Sequence, residues 1–460
     1  MNSDSQIEEE RDEDAYVLDR ATVLAIRAAV EIGDASSLTA LMEPLHAADI
    51  ADLLEQISEG ERRHLIQLYD REFDGEILSE LDENLREEII EALHPQVLAE
   101  AVRDLESDDV VDLLEDLDEP QQEAILDVLE DIDRVAVEQA LNYPEYSAGR
   151  LMQREVVMAP EHWNVGQAID FVRQSKILPE QFYHLHMVNP RQEPVAYVTL
   201  GRLLSSKPDC PLHDITEDSF RTFSVDEDEA DVAYAFNQYH LISAPVVDAD
   251  QRLVGMITID DAVQVLDEEL EEDIMRLAGV GESHLSDNVI DTTKRRFPWL
   301  AVNLVTAILA SLVIAQFEDL LGQFVALAVL MPIVASMGGN AGTQSLTVAV
   351  RALATRDLTG ANVWRVIRRE ALVGLVNGMI FAAVMGVVGA LWFGTPILGV
   401  VIALAMLVNL LVAGLAGIMV PVALEKVGVD PALASGAFVT TVTDVVGFLA
   451  FLGLAALMLL

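Results

Sequence analysis

The chain separates its charged residues from its apolar ones. Residues 1–296 carry 70 of the 77 acidic side chains and 22 of the 28 basic ones, which leaves a net charge of −48. Residues 297–460 consist of long apolar runs with only seven acidic and six basic side chains. Because about 20 apolar residues suffice for a helix to cross a bilayer, the sequence predicts an anionic water-exposed part followed by a membrane domain.

The apolar runs predict five membrane helices, at about 299–317, 324–350, 372–393, 397–420 and 436–458. Basic residues cluster before the first run and between the second and third, so the positive-inside rule places the N-terminus in the cytoplasm and the C-terminus outside. The first residues lack a basic and apolar signal sequence. We therefore expect a multi-pass protein of the cell (inner) membrane whose first 296 residues stay in the cytoplasm.

The charge and the cysteine content exclude several classes of ligand. A strongly anionic surface would be repelled by nucleic acid but would attract divalent cations. Cys210 is the only cysteine, so an intrachain disulfide is excluded and a bound metal is expected to have oxygen ligands.

Residues 1–142 have the apolar spacing of short helices with acids between them. Apolar clusters recur about every 21 to 23 residues, which predicts an all-α superhelical domain, a small solenoid of stacked hairpins. Asp108 and Asp112 are four residues apart and share a helix face. They are a candidate metal or interface pair, although solvated acids often have the same spacing.

Two units with the order β-α-β-β-α follow at 143–208 and 209–266. Pro245–Asp248 before a turn and Gly255–Thr258 after it resemble a tandem pair of cystathionine beta-synthase (CBS) domains. The resemblance implies a candidate site for an adenine nucleotide such as ATP, in which Thr258 and Asp261 hold the ribose. Alternatively, Thr258 only ends a strand and Asp261 only favours the positive end of the next helix.

Residues 267–296 predict an acidic connecting, or plug, helix leading to the membrane. Glu269, Glu272 and Asp273 have i, i+3, i+4 spacing and so lie on one face. Like charges at this spacing destabilise a helix by a few tenths of a kcal/mol per pair, with about 0.2–0.5 kcal/mol as the usual range. We expect a cation to offset them.

The second apolar run is too long for a straight crossing and contains Pro332 and a Gly338–Gln344 segment with three glycines. The run must therefore tilt, kink or break, since the proline frees a carbonyl and the glycines let the backbone leave helical geometry where protein or a water-filled cavity satisfies it. The alternative is close contact between helices through small residues.

Asp444 lies in the middle of the last apolar run, where a carboxylate costs roughly 2.5–3.5 kcal/mol on insertion scales. Thr440 and two further threonines lie beside it. Because no basic residue within a span can pair with Asp444, its partner is expected to be a proton or a hard cation. One carboxylate among carbonyls and hydroxyls suits a hydrated Mg²⁺.

The order of these domains, together with two motifs, resembles the MgtE family of magnesium channels over almost the full length. The motifs are Pro332-x5-Gly338-Gly339-Asn340-x-Gly342-x-Gln344 and Asp444-x-x-Gly447-Phe448. The resemblance implies a homodimer with a pore on the dimer axis. There, Asp444 and oxygens near Gly339, Asn340, Gly342 and Thr440 would hold Mg²⁺.

The resemblance also implies that Mg²⁺ bound to cytosolic acids keeps the pore closed. The candidate sensor residues are Asp108, Asp112, Asp261, Glu269, Glu272, Asp273 and Asp430. Gln264 and His240 stand where acids are expected, so some regulatory sites are predicted to be missing or weaker.

The leading interpretation is a Mg²⁺-selective channel that imports magnesium and is closed by cytosolic Mg²⁺. A second is a proton- or ion-coupled secondary transporter of Mg²⁺, Co²⁺ or Mn²⁺. A third is a membrane-anchored CBS sensor of a nucleotide or ion, although an anchor needs neither Asp444 nor the glycines. We do not expect an enzyme, because the histidines are scattered and no nucleophile–base pair is recognisable.

Overall fold

The computed structural model describes residues 18–70, 73–115, 117, 119–129, 131–175, 178–179, 181–280 and 289–460. Its contacts divide the chain into two compact units, Met1–Glu269 and Leu270–Leu460. Residues 1–17 of the predicted N-terminal domain and residues 281–288 of the predicted connecting helix lie outside the described residues.

Short helices make up the described part of the chain as far as residue 141. They are α1 Arg20–Ile32, α2 Ala35–Met42, α3 Ala47–Gln56, α4 Glu59–Tyr69, α5 Glu76–Ser79, α6 Glu83–Ala92, α7 Pro95–Asp104, α8 Ser107–Glu115, α9 Glu119–Leu126 and α10 Asp131–Ala140. Polar caps separate them: Asp34 accepts the Ser37 N–H before α2, and Ser58 forms a capping box with Glu61 before α4. Their apolar faces share one core, which confirms the predicted helical domain.

Two three-stranded sheets follow, with helices around them. The first repeat contains α11 Ala148–Leu151, β1 Met158–Pro160, α12 Val165–Gln174, β2 His184–Val188, β3 Pro194–Thr199 and α13 Leu200–Ser205. The second contains the 3₁₀ turn Leu212–Ile215, β4 Phe223–Ser224, α14 Glu229–Tyr239, β5 Ser243–Val247, β6 Leu253–Thr258 and α15 Ile259–Leu277.

The two sheets have the same topology. The first strand of each pairs parallel to the second, and the second pairs antiparallel to the third. Even the register shift recurs at the same place, between Met187 and Val188 in the first sheet and between Val246 and Val247 in the second. The predicted pair of CBS units is confirmed, although the first strand begins at Met158, two residues after the predicted Val156.

The last part of the chain is helical. Its helices are α16 Val289–Ala315, α17 Glu318–Gln323, α18 Val325–Ala354, α19 Val363–Phe393, α20 Pro396–Val427 and α21 Pro431–Leu459. Among the described residues, all of these except α17 are long and apolar enough to cross a membrane, which confirms the five predicted helices. Several extend past the apolar runs, because polar residues such as Arg365 continue the helix beyond the hydrocarbon layer.

Of the tilt, kink or break predicted for the second membrane helix, the break is wrong. α18 is one continuous helix of 30 residues with Pro332 inside it. Its glycines allow close packing instead: a Cβ on Gly342 would lie 2.7 Å from Val439 Cγ1, and a Cβ on Gly338 would collide with the Asn409 carboxamide. The alternative, helix contact through small residues, is the correct one.

Close packing at glycines also joins α19 to α20. A Cβ on Gly374 would lie 2.7 Å from the Leu410 carbonyl oxygen, and a Cβ on Gly399 would collide with the carbonyl of Gly386. The backbones of these two helices therefore touch near both ends of their contact. In a bilayer, where apolar burial gives no advantage over lipid, such close packing is a main source of helix association.

Gly399→Ala should lower the stability of the membrane domain, because the new methyl group meets a backbone carbonyl that cannot move independently. Overpacking of this kind costs about 1–3 kcal/mol. Thermal unfolding of the purified full chain in detergent measures it. Gly453→Ala on α21 is the control, since nothing lies within 4 Å of a Cβ there. Equal unfolding temperatures for the two variants would contradict this packing argument.

Candidate ion site

Asp444 is half-buried on α21, inside an otherwise apolar segment. The preceding turns carry three threonines whose hydroxyls donate to carbonyls of their own helix: Thr440 to Gly436 at 2.9 Å, Thr441 to Ala437 at 2.6 Å and Thr443 to Thr440 at 3.0 Å. Such bonds satisfy the hydroxyl protons within the helix and leave oxygen lone pairs available. The segment therefore offers acceptor oxygens and one carboxylate.

One face of α18 is polar and exposed on the surface of the chain. Asn340, Thr343, Gln344 and Thr347 are all exposed, and nothing lies within 4 Å of a Cβ placed on Gly339. Lipid is a poor neighbour for amides and hydroxyls. This face therefore needs water or another polar surface against it.

α18 and α21 pack together beside these polar residues. A Cβ on Gly342 would lie 2.7 Å from Val439 Cγ1 and 3.4 Å from Thr443 Cγ2, so Gly342 lies against the turn of α21 that precedes Asp444. The structure thus brings the two sequence motifs together on neighbouring helices. Among the described residues, however, no group of three or more His, Cys, Asp or Glu side chains has metal-binding geometry.

The carbonyls expected to face an ion are engaged in their own helices. The Gly339 carbonyl accepts the Thr343 hydroxyl at 3.0 Å, and the Thr440 carbonyl accepts the Thr443 hydroxyl. Asn340 Nδ2 lies 3.4 Å from Ser336 Oγ. In this structure, side-chain oxygens are therefore the more accessible ligands.

A second cluster of carboxylates lies at the start of α8, facing the start of α15. Asp108 is 8% exposed, and burial, followed by the charge of Asp261, raises its pKa well above the usual range. Burial also raises the pKa of Asp109 to about 6, with Asp261 adding to the effect, and raises the pKa of Asp261 to about 6. These acids repel one another wherever they are ionised.

Asp112 has a different environment from Asp108. Its carboxylate accepts a hydrogen bond from the buried Arg86 guanidinium at 2.8 Å and is about half exposed. The two acids predicted to act as a pair therefore have separate partners.

Thr258 and Asp261, the candidate ribose ligands, bind each other. The Thr258 hydroxyl donates to Asp261 Oδ2 at 2.6 Å, and the Thr258 N–H lies 3.2 Å from the same oxygen. This bond closes the first turn of α15. In this structure, Thr258 and Asp261 therefore act as the end of a strand and the start of a helix, which is the alternative to a nucleotide site.

Glu272 of α15 and Asp430 meet around one arginine, Arg276. Glu269 is exposed on α15, whereas Glu272 and Asp273 are half-buried. The Arg276 guanidinium donates to Asp430 Oδ2 at 2.7 Å and also pairs with Glu272. Asp430 Oδ1 accepts the Ala432 N–H at 2.7 Å, so it caps α21 as well.

Sequence reasoning missed three polar groups. Besides Arg276, they are Glu370, which accepts the Ser345 hydroxyl at 3.0 Å, and Asn409, which is completely buried on α20. A lone amide in the middle of an apolar run is a visible signal for Asn409. Nothing in the sequence placed Arg276 opposite Asp430, 154 residues away.

Family models match three parts of the chain. They are described as "MgtE intracellular N domain" for residues 45–146, "CBS domain" for residues 212–268 and "Divalent cation transporter" for residues 331–454. The helical domain, the CBS units and the five membrane helices, together with these matches, thus define a multi-pass membrane transport protein.

Two relatives in this class match almost the full length of the chain. The magnesium transporter MgtE of Thermus thermophilus is 31% identical over 450 residues, which are 96% of this chain and 99% of the relative. That of Bacillus subtilis is 28% identical and covers 94% of this chain and 96% of the relative. The chain belongs to the MgtE family.

A solved structure resembles about half of the chain. The cytosolic domain of the Mg²⁺ channel MgtE in complex with ATP is 27% identical, with a TM-score of 0.50. The match covers 53% of this chain and 99% of that domain.

The carboxylate cluster predicts a pH dependence in the absence of divalent cations. A raised pKa means that the folded state holds protons which the unfolded state has already released. Stability is therefore greatest at low pH and falls as pH rises from about 4 through the folded pKa values of about 6. Unfolding of the full chain in a chelator should occur at a lower temperature at pH 8 than at pH 5.

Asp108→Asn should reduce this dependence and raise the unfolding temperature at pH 8, because an amide removes the cost of either ionising a buried carboxyl or keeping its proton bound. The control is Asp52→Asn, which removes an exposed acid of α3. The same pH profile in Asp108→Asn as in the wild type would refute the role given to the cluster.

Proposed function

We propose that the chain forms a homodimeric Mg²⁺ channel of the cell membrane, which imports magnesium and closes when cytosolic Mg²⁺ binds its acids. The observation that carries the proposal is Asp444, a half-buried carboxylate on an apolar helix that packs against α18 at the preceding residue, Thr443. Membership of a family of divalent cation transporters supports it.

A second copy of the chain is the partner that the polar face of α18 requires. Asn340, Thr343 and Gln344 are exposed at the surface of one copy, where lipid would surround them. A twofold axis beside α18 and α21 would place the polar faces and both Asp444 carboxylates around one water-filled path. The pore then belongs to the dimer.

The ligand chemistry favours hydrated Mg²⁺. Each copy would contribute the carboxylate of Asp444, the hydroxyl of Thr440 and the amide oxygen of Asn340. None of these three side chains is a thiolate or an imidazole. Mg²⁺ releases its water reluctantly and binds through few carboxylates. The relatives named as magnesium transporters agree with this choice.

The distribution of basic residues supports an N-terminus in the cytoplasm and a C-terminus outside. Arg365 and Arg368 lie in the first two turns of α19, and the Arg368 guanidinium lies 5.5 Å from the Trp364 ring. Arginine and tryptophan at one helix end are typical of the membrane–water interface on the cytoplasmic side.

Cytosolic Mg²⁺ would act on the buried acids. Ionised Asp108, Asp109 and Asp261 repel one another, and a bound divalent cation would offset that repulsion and hold α8 against α15. Protons would compete with the cation. Because burial raises the pKa of Asp109 and of Asp261 to about 6, this competition falls in the range around pH 6 and strengthens as the pH is lowered.

ATP is proposed as a ligand of the CBS pair, because the related cytosolic domain was crystallised with ATP. Thr258 and Asp261 remain its candidate ribose ligands. The nucleotide would have to replace the Thr258–Asp261 hydrogen bond, so ATP and the acidic cluster would compete for Asp261.

Asp444→Asn should reduce Mg²⁺ conductance by at least about tenfold, the factor that corresponds to about 1.4 kcal/mol. The amide keeps the size of the side chain and removes the charge that attracts the cation. Patch-clamp recording of the full chain in liposomes, with Mg²⁺ as the only permeant cation, measures it.

Asp357→Asn is the matched control for the pore, since Asp357 is an exposed acid between α18 and α19. Wild-type currents in Asp444→Asn would contradict the proposal that Asp444 is a ligand in the pore. Slow uptake without discrete openings in the wild type would point to a carrier instead.

Arg276→Met should weaken closure at low cytosolic Mg²⁺, so that the channel needs bound Mg²⁺ to close. Arg276 neutralises Glu272 and Asp430, which are 20% and 30% exposed, so its removal leaves two facing carboxylates. At micromolar Mg²⁺ we expect the open probability to rise about two- to fivefold, the range of a partly exposed ion pair. Millimolar Mg²⁺ should still close the channel.

The same recordings with Arg252→Met, which removes an exposed arginine of the β5–β6 turn, provide the comparison. An unchanged Mg²⁺ dependence in Arg276→Met would show that the Arg276–Asp430 pair takes no part in closure.

A further inference from the structure

Asn409 is a polar side chain in the most buried of the membrane helices. It lies on α20 between apolar residues, and its exposed fraction is 0%. An amide at such a position is expensive unless it is fully hydrogen-bonded. Asn409 is therefore unexplained by packing alone.

The carboxamide fills a space that two glycines leave open. A Cβ on Gly338 of α18 would collide with it, and a Cβ on Gly447 of α21 would lie 2.7 Å from its Nδ2. Nδ2 donates to the Val334 carbonyl of α18 at 2.8 Å. One side chain of α20 thus contacts both helices that carry the ion-site residues.

The hydrogen bonding of this amide is incomplete. Within the described chain, Asn409 Oδ1 is buried and has no hydrogen-bond partner. Leucine has nearly the same shape and would leave no acceptor unsatisfied, and replacing a polar group by an apolar one of equal shape can be neutral or stabilising. The amide is thus better explained by the position that it gives to its neighbouring helices than by a contribution to the stability of the fold.

Both glycines adjoin the ion-site residues. Gly338 directly precedes Gly339 and Asn340, and Gly447 follows Asp444 by three residues, less than one helical turn. We propose that Asn409 is a positioning residue, which holds α18 and α21 at the spacing that places Asp444 opposite the polar face of α18. This inference rests on the proposed channel function.

Asn409→Leu tests the hydrogen bond while it keeps the shape. We expect the permeability ratio of Mg²⁺ to Ca²⁺ to fall at least about tenfold, since displacements of about 1 Å have effects of that size or larger. The unfolding temperature should stay equal or rise, which a merely structural amide would not produce. The control is Asn377→Leu, an exposed amide of α19.

A second pair of variants tests the contact with Gly447. Gly447→Ala should impair conductance, because its methyl group meets the Asn409 amide, and Asn409→Ala in the same chain should restore part of it by making room. Such coupling is expected only for residues in contact. This cycle decides the case if Asn409→Leu fails to fold.

The outcomes separate this inference from the channel proposal. If the wild type conducts Mg²⁺ and Asp444→Asn does not, the channel function stands. A wild-type selectivity in Asn409→Leu, or additive effects of Gly447→Ala and Asn409→Ala, would then overturn the role of Asn409 alone.

Discussion

Close contact between helix backbones is the constraint on which the membrane domain depends. Lipid is as apolar as a protein core, so α18, α19, α20 and α21 gain little from burying leucine against one another. They associate where glycine removes the side chain, as at Gly342 against Val439 and at Gly399 against Gly386. Packing of this kind is rigid, because a backbone has no alternative rotamer. Rigid helices can hold a carboxylate where a flexible core would let it move towards water.

This constraint accounts for the continuity of α18. Glycine and proline destabilise an isolated helix, and three glycines near Pro332 reasonably predict a break. In the folded chain each buried glycine brings a neighbour close enough to compensate: Val439 approaches Gly342, and Asn409 approaches Gly338. Tertiary contacts therefore override local propensity.

Much of the architecture was predictable, because it follows from periodicity and composition. The helical domain, the repeated sheet and the five membrane helices each leave a local pattern, and Asp444 is conspicuous because acids are rare in apolar runs. Contacts between distant segments leave no such pattern. Arg276 reaches Asp430 across 154 positions, and Thr258 turned out to bond Asp261 within the same helix start. The hydrogen bonds of the expected ligands were equally hidden, since the Gly339 and Thr440 carbonyls accept threonine hydroxyls of their own helices.

The proposed coupling between sensor and pore has a physical route in α21. Asp430 caps the first turn of this helix and also holds Arg276 at the end of the acidic helix α15. Asp444 is 14 residues further along the same helix, about 21 Å at 1.5 Å per residue. Because α21 is continuous between them, a displacement of its first turn moves the carboxylate with it. Leu277 packs against the apolar cluster that contains Ala432, so apolar contact as well as charge joins α15 to the start of α21. A cation that neutralises Glu272 and Asp430 would thus act on the pore through the rigid helix α21. Asn409 of α20, which lies against Gly447, would be the fixed contact against which α21 moves.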